Sequence, residues 1–329
     1  MFEPQRIPLA HLPTPLVKLE RLGRALGGAE IWMKRDDLTG LEVSGNKIRN
    51  LEYVVADALA DDCDTLVTEG TPQSNHCRAT AAVCARLGLH CVLLFRPEAP
   101  ASPTGNHLLD VLFGAESRSW SREEFSARRE TIVNTTLAEL HAAGRRPRWT
   151  PSGAAEPLGC WGYIRAMREL TQQLGEVGIA RCDLVLAVSS GATYAGVVLG
   201  NLLVEQPAAE VWAVPVSDDV SYHVANVGRL CSAAILRYDL PVEYRDELLR
   251  FLDGYVGADY AVPYPAALDA LRLLARTEGI ILDPVYTAKA FCALLDGVRA
   301  RRFGFDRPVV FLQTGGIFSD LAWPELLVG

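Results

Sequence analysis

The stretch LVLAVSSGATYAGVVLGNLLV, residues 184–204, carries no charged side chain and is long enough to cross a bilayer as a helix. Its interior favours another reading. LVLAV (184–188) is a short, β-branched run of the kind that makes a buried strand, SSGAT (189–193) is a turn of small and polar residues, and YAGVVLGNLLVEQ (194–206) reads as a helix. Strand, turn and helix form one unit of an α/β core, so no membrane partner is implied. The same rhythm recurs. TLVT (65–68) leads through a polar loop into a helical pattern from Cys77 to Leu87, Gly88 ends that helix, and HCVLLF (90–95) follows as a strand. VWAVPV (211–216) and PVVFL (308–312) read as further buried strands, with helical stretches over 264–277 and 287–299. This alternation predicts parallel sheets covered by helices on both faces, a doubly wound α/β fold.

The chain's 329 residues favour two domains with a cleft between them. At 49% hydrophobic and 22% charged, the composition is that of a folding globular protein and excludes a disordered or fibrous one. Lys plus Arg number 32 against 40 Asp plus Glu, a net charge of −8, so no basic field recruits nucleic acid or an anionic membrane. A small local anion site stays open. The eight cysteines (Cys63, Cys77, Cys84, Cys91, Cys160, Cys182, Cys231 and Cys292) are scattered without zinc spacing, and no metal is expected. Residues 1–16 contain Glu3, Arg6 and several prolines but no apolar stretch of signal-peptide length, which reads as a reducing, cytoplasmic setting. The seven-residue spacing of Cys77, Cys84 and Cys91 is explained by apolar packing. Residues 117–130 are charged, with apolar residues too sparse for a deep core. Arg145, Arg146, Pro147 and Arg148 precede a turn-rich stretch at 150–159 and are expected to mark a surface crossing between domains.

Ligands of parallel α/β sheets collect where loops leave the carboxyl ends of strands, which directs attention to residues 70–75, 189–196 and 313–317. SSGATYAG (189–196) sets Gly191 and small hydroxyl residues between a strand and a helix start, where free N–H groups attract phosphate; a tight turn that binds nothing is the alternative. It lacks the dinucleotide glycine pattern and the P-loop lysine. Lys47, in SGNKIRNLE, stands at the start of a helical pattern, where the helix dipole disfavours its charge and promotes the neutral amine needed for Schiff-base chemistry. A solvated surface lysine is the competing reading. Ser74 and Asn75 suit a helix cap, and His76 a packed or capping histidine. Tyr260 and Tyr286 could move protons or be buried phenols with one hydrogen bond each, and Thr314 could donate to a ligand or shape the turn before Gly315 and Gly316.

Taken in order, PTPLVKLERL (13–22), KRDDLTG (34–40), SGNKIRNLE (44–52), EGTPQSNH (69–76), the pair Gly162 and Tyr163, SSGATYAG (189–196), EGIILDPVYTAKA (278–290) and TGG (314–316) span most of the chain. With these motifs the chain resembles, over essentially its full length, the D-cysteine desulfhydrase and aminocyclopropane-carboxylate deaminase family of pyridoxal-phosphate enzymes. The resemblance implies fold type II: two doubly wound α/β domains with the cofactor in the cleft between them, usually as a homodimer. The larger domain would comprise residues 1–50 and 163–329, the smaller 51–162. By the same resemblance Lys47 binds the cofactor covalently, Ser74 stands near the substrate carboxylate and Asn75 lies beside the cofactor's 3-hydroxyl. Ser189, Ser190, Gly191, Ala192 and Thr193 cradle the phosphate. Tyr260 and Tyr286 match the two active-site tyrosines, and Thr314 lies by the pyridine nitrogen. His76, Trp161 and Thr287 join Ser74, Asn75 and the tyrosines around a small amino-acid substrate. A neutral hydroxyl at the pyridine nitrogen suits elimination more than transamination.

Members that open the cyclopropane ring resemble one another in having Glu after the second tyrosine and Leu at the later position, where this chain has Thr287 and Thr314. That pattern implies the desulfhydrase branch: α,β-elimination, with D-cysteine giving pyruvate, hydrogen sulfide and ammonia. Three departures bear on the substrate: Gln313 in place of His before Thr-Gly-Gly, Cys160 and Trp161 where small residues precede Gly-Tyr, and Asp259 in place of Gly before Tyr260. Ring-opening deamination, L-cysteate sulfo-lyase activity and a β-elimination or replacement on a specialised amino acid are the alternatives. A catalytically retired ligand-binding protein is the non-enzyme alternative, against which the retention of Lys47, Ser74, Tyr260 and Tyr286 together counts.

Overall fold

The uncharged stretch at 184–204 turns back on itself: it supplies the strand Cys182–Val188 and then, after Gly191, the helix Ala192–Leu203. No described helix is long and apolar enough to cross a membrane. The computed structural model describes residues 3–205 and 208–328; Gln206, to which the helix pattern extends, lies outside the described residues with Met1, Phe2, Pro207 and Gly329.

Among the described residues the strands are, in chain order, β1 (Leu16–Lys18), β2 (Ile31–Arg35), β3 (Thr65–Gly70), β4 (His90–Phe95), β5 (Glu116–Ser119), β6 (Pro147–Trp149), β7 (Cys182–Val188), β8 (Ala209–Pro215), β9 (Arg250–Phe251) and β10 (Val309–Gln313). They form a six-stranded sheet in the order β1-β2-β10-β7-β8-β9 and a four-stranded sheet in the order β5-β4-β3-β6. Every pairing is parallel except β1 with β2. Strands buried on both faces need apolar residues at successive positions, and the cores show it. Leu184, Leu186, Val310 and Leu312 enter one core of the larger sheet, while Val185, Val309 and Phe311 enter the core on its other face. In the smaller sheet Leu66, Cys91 and Leu93 face one core and Val67, Val92 and Leu94 the other.

Two sequence expectations need correction. The charged stretch at 117–130 is the edge strand β5 followed by the helix Arg122–Ala142, whose Phe125, Ile132, Val133 and Leu140 do reach a core, against Val67, Val92 and Leu94. The arginine-rich stretch before residue 150 is not all linker, because β6 pairs with β3 at the sheet edge and Arg148 bonds Asp57 and Glu156. Gly162 shows how closely the layers pack. A methyl built on it would lie 2.6 Å from the backbone carbon of Arg49, so the helix Trp161–Glu176 can rest on the helix Lys47–Ala60 only without a side chain there.

Parallel register brings carboxyl ends level. Gly70 pairs with Phe95, Val188 with Pro215 and Gln313 with Arg35, and the loops after β3, β4, β7, β8 and β10 all open on one cleft between the two sheets.

Candidate active site

The cleft has a volume of about 410 Å³, and both sheets contribute to its wall. Lys47 is the first residue of the helix Lys47–Ala60, is half-buried and reaches the cleft. Burial lowers its pKa from 10.5 to about 8. The direction matches the sequence expectation, and desolvation by burial is a cause that the sequence did not show. The segment around Gly153 supplies part of that burial. Gly153 has φ +70°, and a methyl on it would lie 2.1 Å from Ser190 Oγ and 3.2 Å from Lys47 Nζ. The glycine thus lets one turn press against both the lysine and the Ser189–Thr193 loop. It sits in the turn-rich stretch read above only as a crossing, and no local signal distinguishes it.

On the larger sheet, Ser189, Ser190, Gly191 and Thr193 line the cleft, while Ala192 is buried at the start of its helix. Among the described residues the N–H groups of Gly191, Ala192 and Thr193 donate to no acceptor, and no side chain caps the helix. Unfilled donors at the start of a helix make an anion site. Asn46 Nδ2 donates to Thr193 Oγ1 at 2.8 Å and Ser217 Oγ to Ser189 Oγ at 2.9 Å, so neighbours hold the loop's hydroxyls in place. Asn46 precedes Lys47 in sequence but escaped the sequence reading. Thr314 lines the cleft with no partner for its hydroxyl among the described residues, while its carbonyl accepts from Asn46 N–H at 3.0 Å. A phosphate cradle, a deprotonatable lysine and a free hydroxyl facing one cavity fit pyridoxal phosphate.

The smaller sheet brings the helix Asn75–Leu87 to the opposite wall. Ser74 is its N-cap, and Ser74 Oγ accepts from Cys77 N–H at 3.2 Å, which leaves the serine proton for a ligand. Asn75 Oδ1 accepts from Asn106 Nδ2 at 2.9 Å, so the Asn75 amide nitrogen is left to donate. His76 lies 2.9 Å from Thr68 Oγ1, whose own proton goes to the Thr150 carbonyl at 2.7 Å. His76 Nε2 therefore carries the hydrogen and its buried Nδ1 has no partner. Burial, then the charge of Lys47, push its pKa down to about 3, so His76 stays a neutral packed histidine rather than a titrating base at neutral pH.

Tyr260 and Tyr286 meet through their hydroxyls, with ring centroids 5.8 Å apart. Burial raises both phenol pKa values and keeps the pair protonated at neutral pH. Asp283 fixes the second tyrosine: its carboxylate accepts from the N–H groups of Val285 at 2.9 Å and Tyr286 at 2.7 Å.

Two residues expected around the substrate stand elsewhere. Thr287 is fully buried off the cleft wall, its hydroxyl donating to the Asp283 carboxylate at 2.7 Å. Trp161 is fully buried in the core between Tyr53 and Tyr238, with ring centroids 6.3 and 5.5 Å away. It occupies the helix face that packs inward, so Trp161→Phe is expected to cost about 1–2 kcal/mol of stability through lost volume and to leave KM within about twofold. Thermal unfolding with steady-state kinetics checks this; a large KM change with unchanged stability would return Trp161 to the cleft. Gln313 is likewise turned away, donating to the Ile281 carbonyl at 2.7 Å. Asp259 does stand at the cleft, where it pairs with Arg122 at 3.0 Å across the mouth. Arg122 and Arg96 line the cleft from segments that no motif marks.

Comparison with known proteins places this geometry. Residues 7–315 match the family described as pyridoxal-phosphate dependent enzyme. D-cysteine desulfhydrases of Salmonella choleraesuis (strain SC-B67) and Salmonella typhi are each 39% identical over 318 residues, covering 94% of this chain and 94% of theirs. A crystal structure described as an ACC deaminase homologue superposes with a TM-score of 0.87 at 32% identity, covering 99% of this chain and 96% of that one. Diaminopropionate ammonia lyase of Escherichia coli shares the fold at a TM-score of 0.67 and 17% identity, covering 97% of this chain and 87% of that one.

Proposed function

The chain belongs to the family of pyridoxal-phosphate dependent enzymes, and we propose that it acts there as a carbon–sulfur lyase that removes the β-substituent of a small amino acid, D-cysteine first among them. The observation that carries this reading is the meeting, in one cleft, of a lysine with its pKa lowered to about 8, an uncapped helix start and the paired tyrosines. The cofactor, when bound, supplies an electron sink for the charge that develops at Cα. The protein's own groups do the rest. The 189–193 loop, with its unfilled N–H groups, would hold the cofactor's phosphate, and Asn75 and Thr314, each with a free donor at the cleft, would hold its ring. Ser74, with its free proton at the end of a helix, receives the substrate carboxylate. The Lys47 amine, neutral once relieved of its proton, takes the proton from Cα. The protonated Tyr260–Tyr286 pair is placed to hand a proton to a departing thiolate. Cleavage of the Cα–H and Cβ–S bonds, with the sulfur keeping the bonding electrons, and hydrolysis of the product then yield pyruvate, ammonia and hydrogen sulfide.

Residues 1–50 with 163–329, and 51–162, serve as the two domains in this reading; the division of the strands between the two sheets supports it. Exposed Leu38, Leu41, Ile281 and Ile317 around a second cavity support a homodimer, and the unpaired state of all eight cysteines supports a cytoplasmic setting.

A panel of D-cysteine, L-cysteine, β-chloro-D-alanine, L-cysteate and aminocyclopropane carboxylate, scored for α-keto acid and ammonia, tests the proposal. Pyruvate is expected from D-cysteine and β-chloro-D-alanine. Thr287 and Thr314 match the pattern of the desulfhydrase branch rather than that of the ring-opening members, so no 2-oxobutyrate is expected from the cyclopropane substrate; its release, or no keto acid from any member, overturns the reading.

A further inference from the structure

Lys289 is the third residue of the helix Thr287–Arg299 and is fully buried, although both burial and the positive end of a helix disfavour a charge there. Burial lowers its pKa from 10.5 to about 8 against the pull of Asp259 and Asp283, so it is still mostly an ammonium at pH 7. Among the described residues it makes no ion pair; two of its hydrogens go to backbone carbonyls, those of Val256 at 2.5 Å and Asp259 at 3.1 Å. Both carbonyls belong to the stretch between β9 and the helix Pro265–Glu278, which has no strand or helix of its own. Among the described residues, one backbone–backbone hydrogen bond lies within 253–262, from Val262 N–H to the Asp259 carbonyl at 3.2 Å. Two further ties, Tyr255 OH to Asp296 at 3.2 Å and Asp259 to Arg122 at 3.0 Å, are exposed to water, where such contacts contribute little. The buried ammonium is the fixed point of this segment, and the segment carries Tyr260. Tyr286, three residues before Lys289 and so on the same side of the helix start, meets the Tyr260 hydroxyl. One helix end thus holds Tyr260 at both its backbone and its hydroxyl.

We propose that Lys289 is a positioning residue: through the Val256 and Asp259 carbonyls it sets Tyr260 at the cleft wall, in the place from which the tyrosine pair protonates the departing sulfur. This rests on the elimination reading of the same cleft, with the pair as its acid. Lys289 does not line the cleft, so its effect passes through Tyr260 and follows the leaving group. Departure of sulfur from D-cysteine is helped by a proton delivered as the Cβ–S bond breaks and its electron pair goes to sulfur; chloride leaves β-chloro-D-alanine with its electron pair and needs none. Loss of Tyr260's placement therefore slows the first reaction and spares the second, whereas general damage to the fold slows both.

The ratio of kcat for D-cysteine to kcat for β-chloro-D-alanine tests this, and because both are measured on one preparation, a partly unfolded variant leaves it unchanged. Lys289→Met, close to lysine in volume but without donors, is expected to lower the ratio by about 10- to 100-fold with KM nearly unchanged, and Lys289→Arg to keep it in part. Tyr260→Phe should lower the ratio by as much or more. Adding Lys289→Met to Tyr260→Phe should then change it by less than about threefold, because the hydroxyl that the lysine places is already gone. Hydrogen exchange reads the tether without chemistry: the amides of residues 253–262 should exchange at least about tenfold faster in Lys289→Met, with cofactor absorption and exchange elsewhere as in the parent. Unchanged exchange at 253–262, a ratio kept by Lys289→Met where Tyr260→Phe lowers it, or an undiminished further loss in the double variant overturns the proposal. A ratio kept by Tyr260→Phe, with faster exchange in Lys289→Met, would instead overturn the reading of the pair as the acid and leave Lys289 only as the anchor of its segment.

Discussion

Lys47→Ala is expected to abolish the absorption near about 410–420 nm that lysine-bound pyridoxal phosphate gives, and to lower elimination by at least about 10³-fold. Two functions are lost together, the covalent hold on the cofactor and the base at Cα. The first depends on a neutral amine. With a pKa of about 8, roughly one Lys47 in ten is neutral at pH 7, against about one in 10³ or fewer for an ordinary lysine. The sign is fixed by burial: desolvation penalises the ammonium, so the lysine loses its proton at lower pH than it would in water. Cofactor added to the cofactor-free protein should therefore load at a rate that rises about tenfold per pH unit below 8 and levels off above it, followed by the growth of the band. A rate that keeps rising to pH 10 would mean that Lys47 is not desolvated. Retained elimination in Lys47→Ala, with an unchanged thermal midpoint, would remove Lys47 from the chemistry altogether.

What was legible in the chain follows from where burial leaves a local trace. β3, β4, β7, β8 and β10 are buried on both faces and so read as short apolar runs, and the loops after β3, β7 and β10 read as small polar turns. β5 (Glu-Ser-Arg-Ser) and β6 (Pro-Arg-Trp) lie at sheet edges with one side open, and nothing in their composition separates them from loop. The site divides in the same way. Lys47, Ser74, Asn75, the 189–193 loop and Thr314 sit at helix starts or after strands, positions that topology alone sends to the cleft. Thr287 follows Tyr286 at a helix start, where consecutive residues point about 100° apart, so one lines the cleft and its neighbour binds Asp283. Order along a motif does not carry that angle. Arg96, Arg122 and Gly153 reach the cleft from three separate segments, and only tertiary packing brings them there.

The largest loss of stability is expected from Arg49→Met. Arg49 is two residues beyond Lys47 and so points about 200° away from it, into a buried network behind the cleft. Its guanidinium bonds the Asp36 carboxylate twice, both at 2.8 Å, and the Glu169 carboxylate at 2.9 and 3.0 Å. Tyr163 OH and Thr14 Oγ1 each donate to Asp36 at 2.6 Å, and Lys34 Nζ donates to Glu169, to the Thr14 carbonyl and to Gln173. The Gly-Tyr pair of the sequence acquires a physical role here: the glycine admits the helix and the tyrosine completes the network. Burial pushes the Asp36 and Glu169 carboxyls up, but Arg49 with the other donors more than offsets it and holds both below their ordinary values. In the parent protein these groups therefore add stability above about pH 4, which is lost as pH falls through their lowered values. Without Arg49, burial is opposed far less, and the carboxyls move up. A native state with raised carboxyl pKa values loses stability as pH rises through them, so the deficit of Arg49→Met should be larger at pH 7 than at pH 5. Its size at pH 7 is set by two buried acids left short of a partner, about 3–5 kcal/mol. Denaturant unfolding at the two pH values measures both parts. A loss under about 1 kcal/mol, or one equal at pH 5 and pH 7, would mean that water or Lys34 already neutralises the acids and that the helix bearing Lys47 is anchored by its apolar face instead.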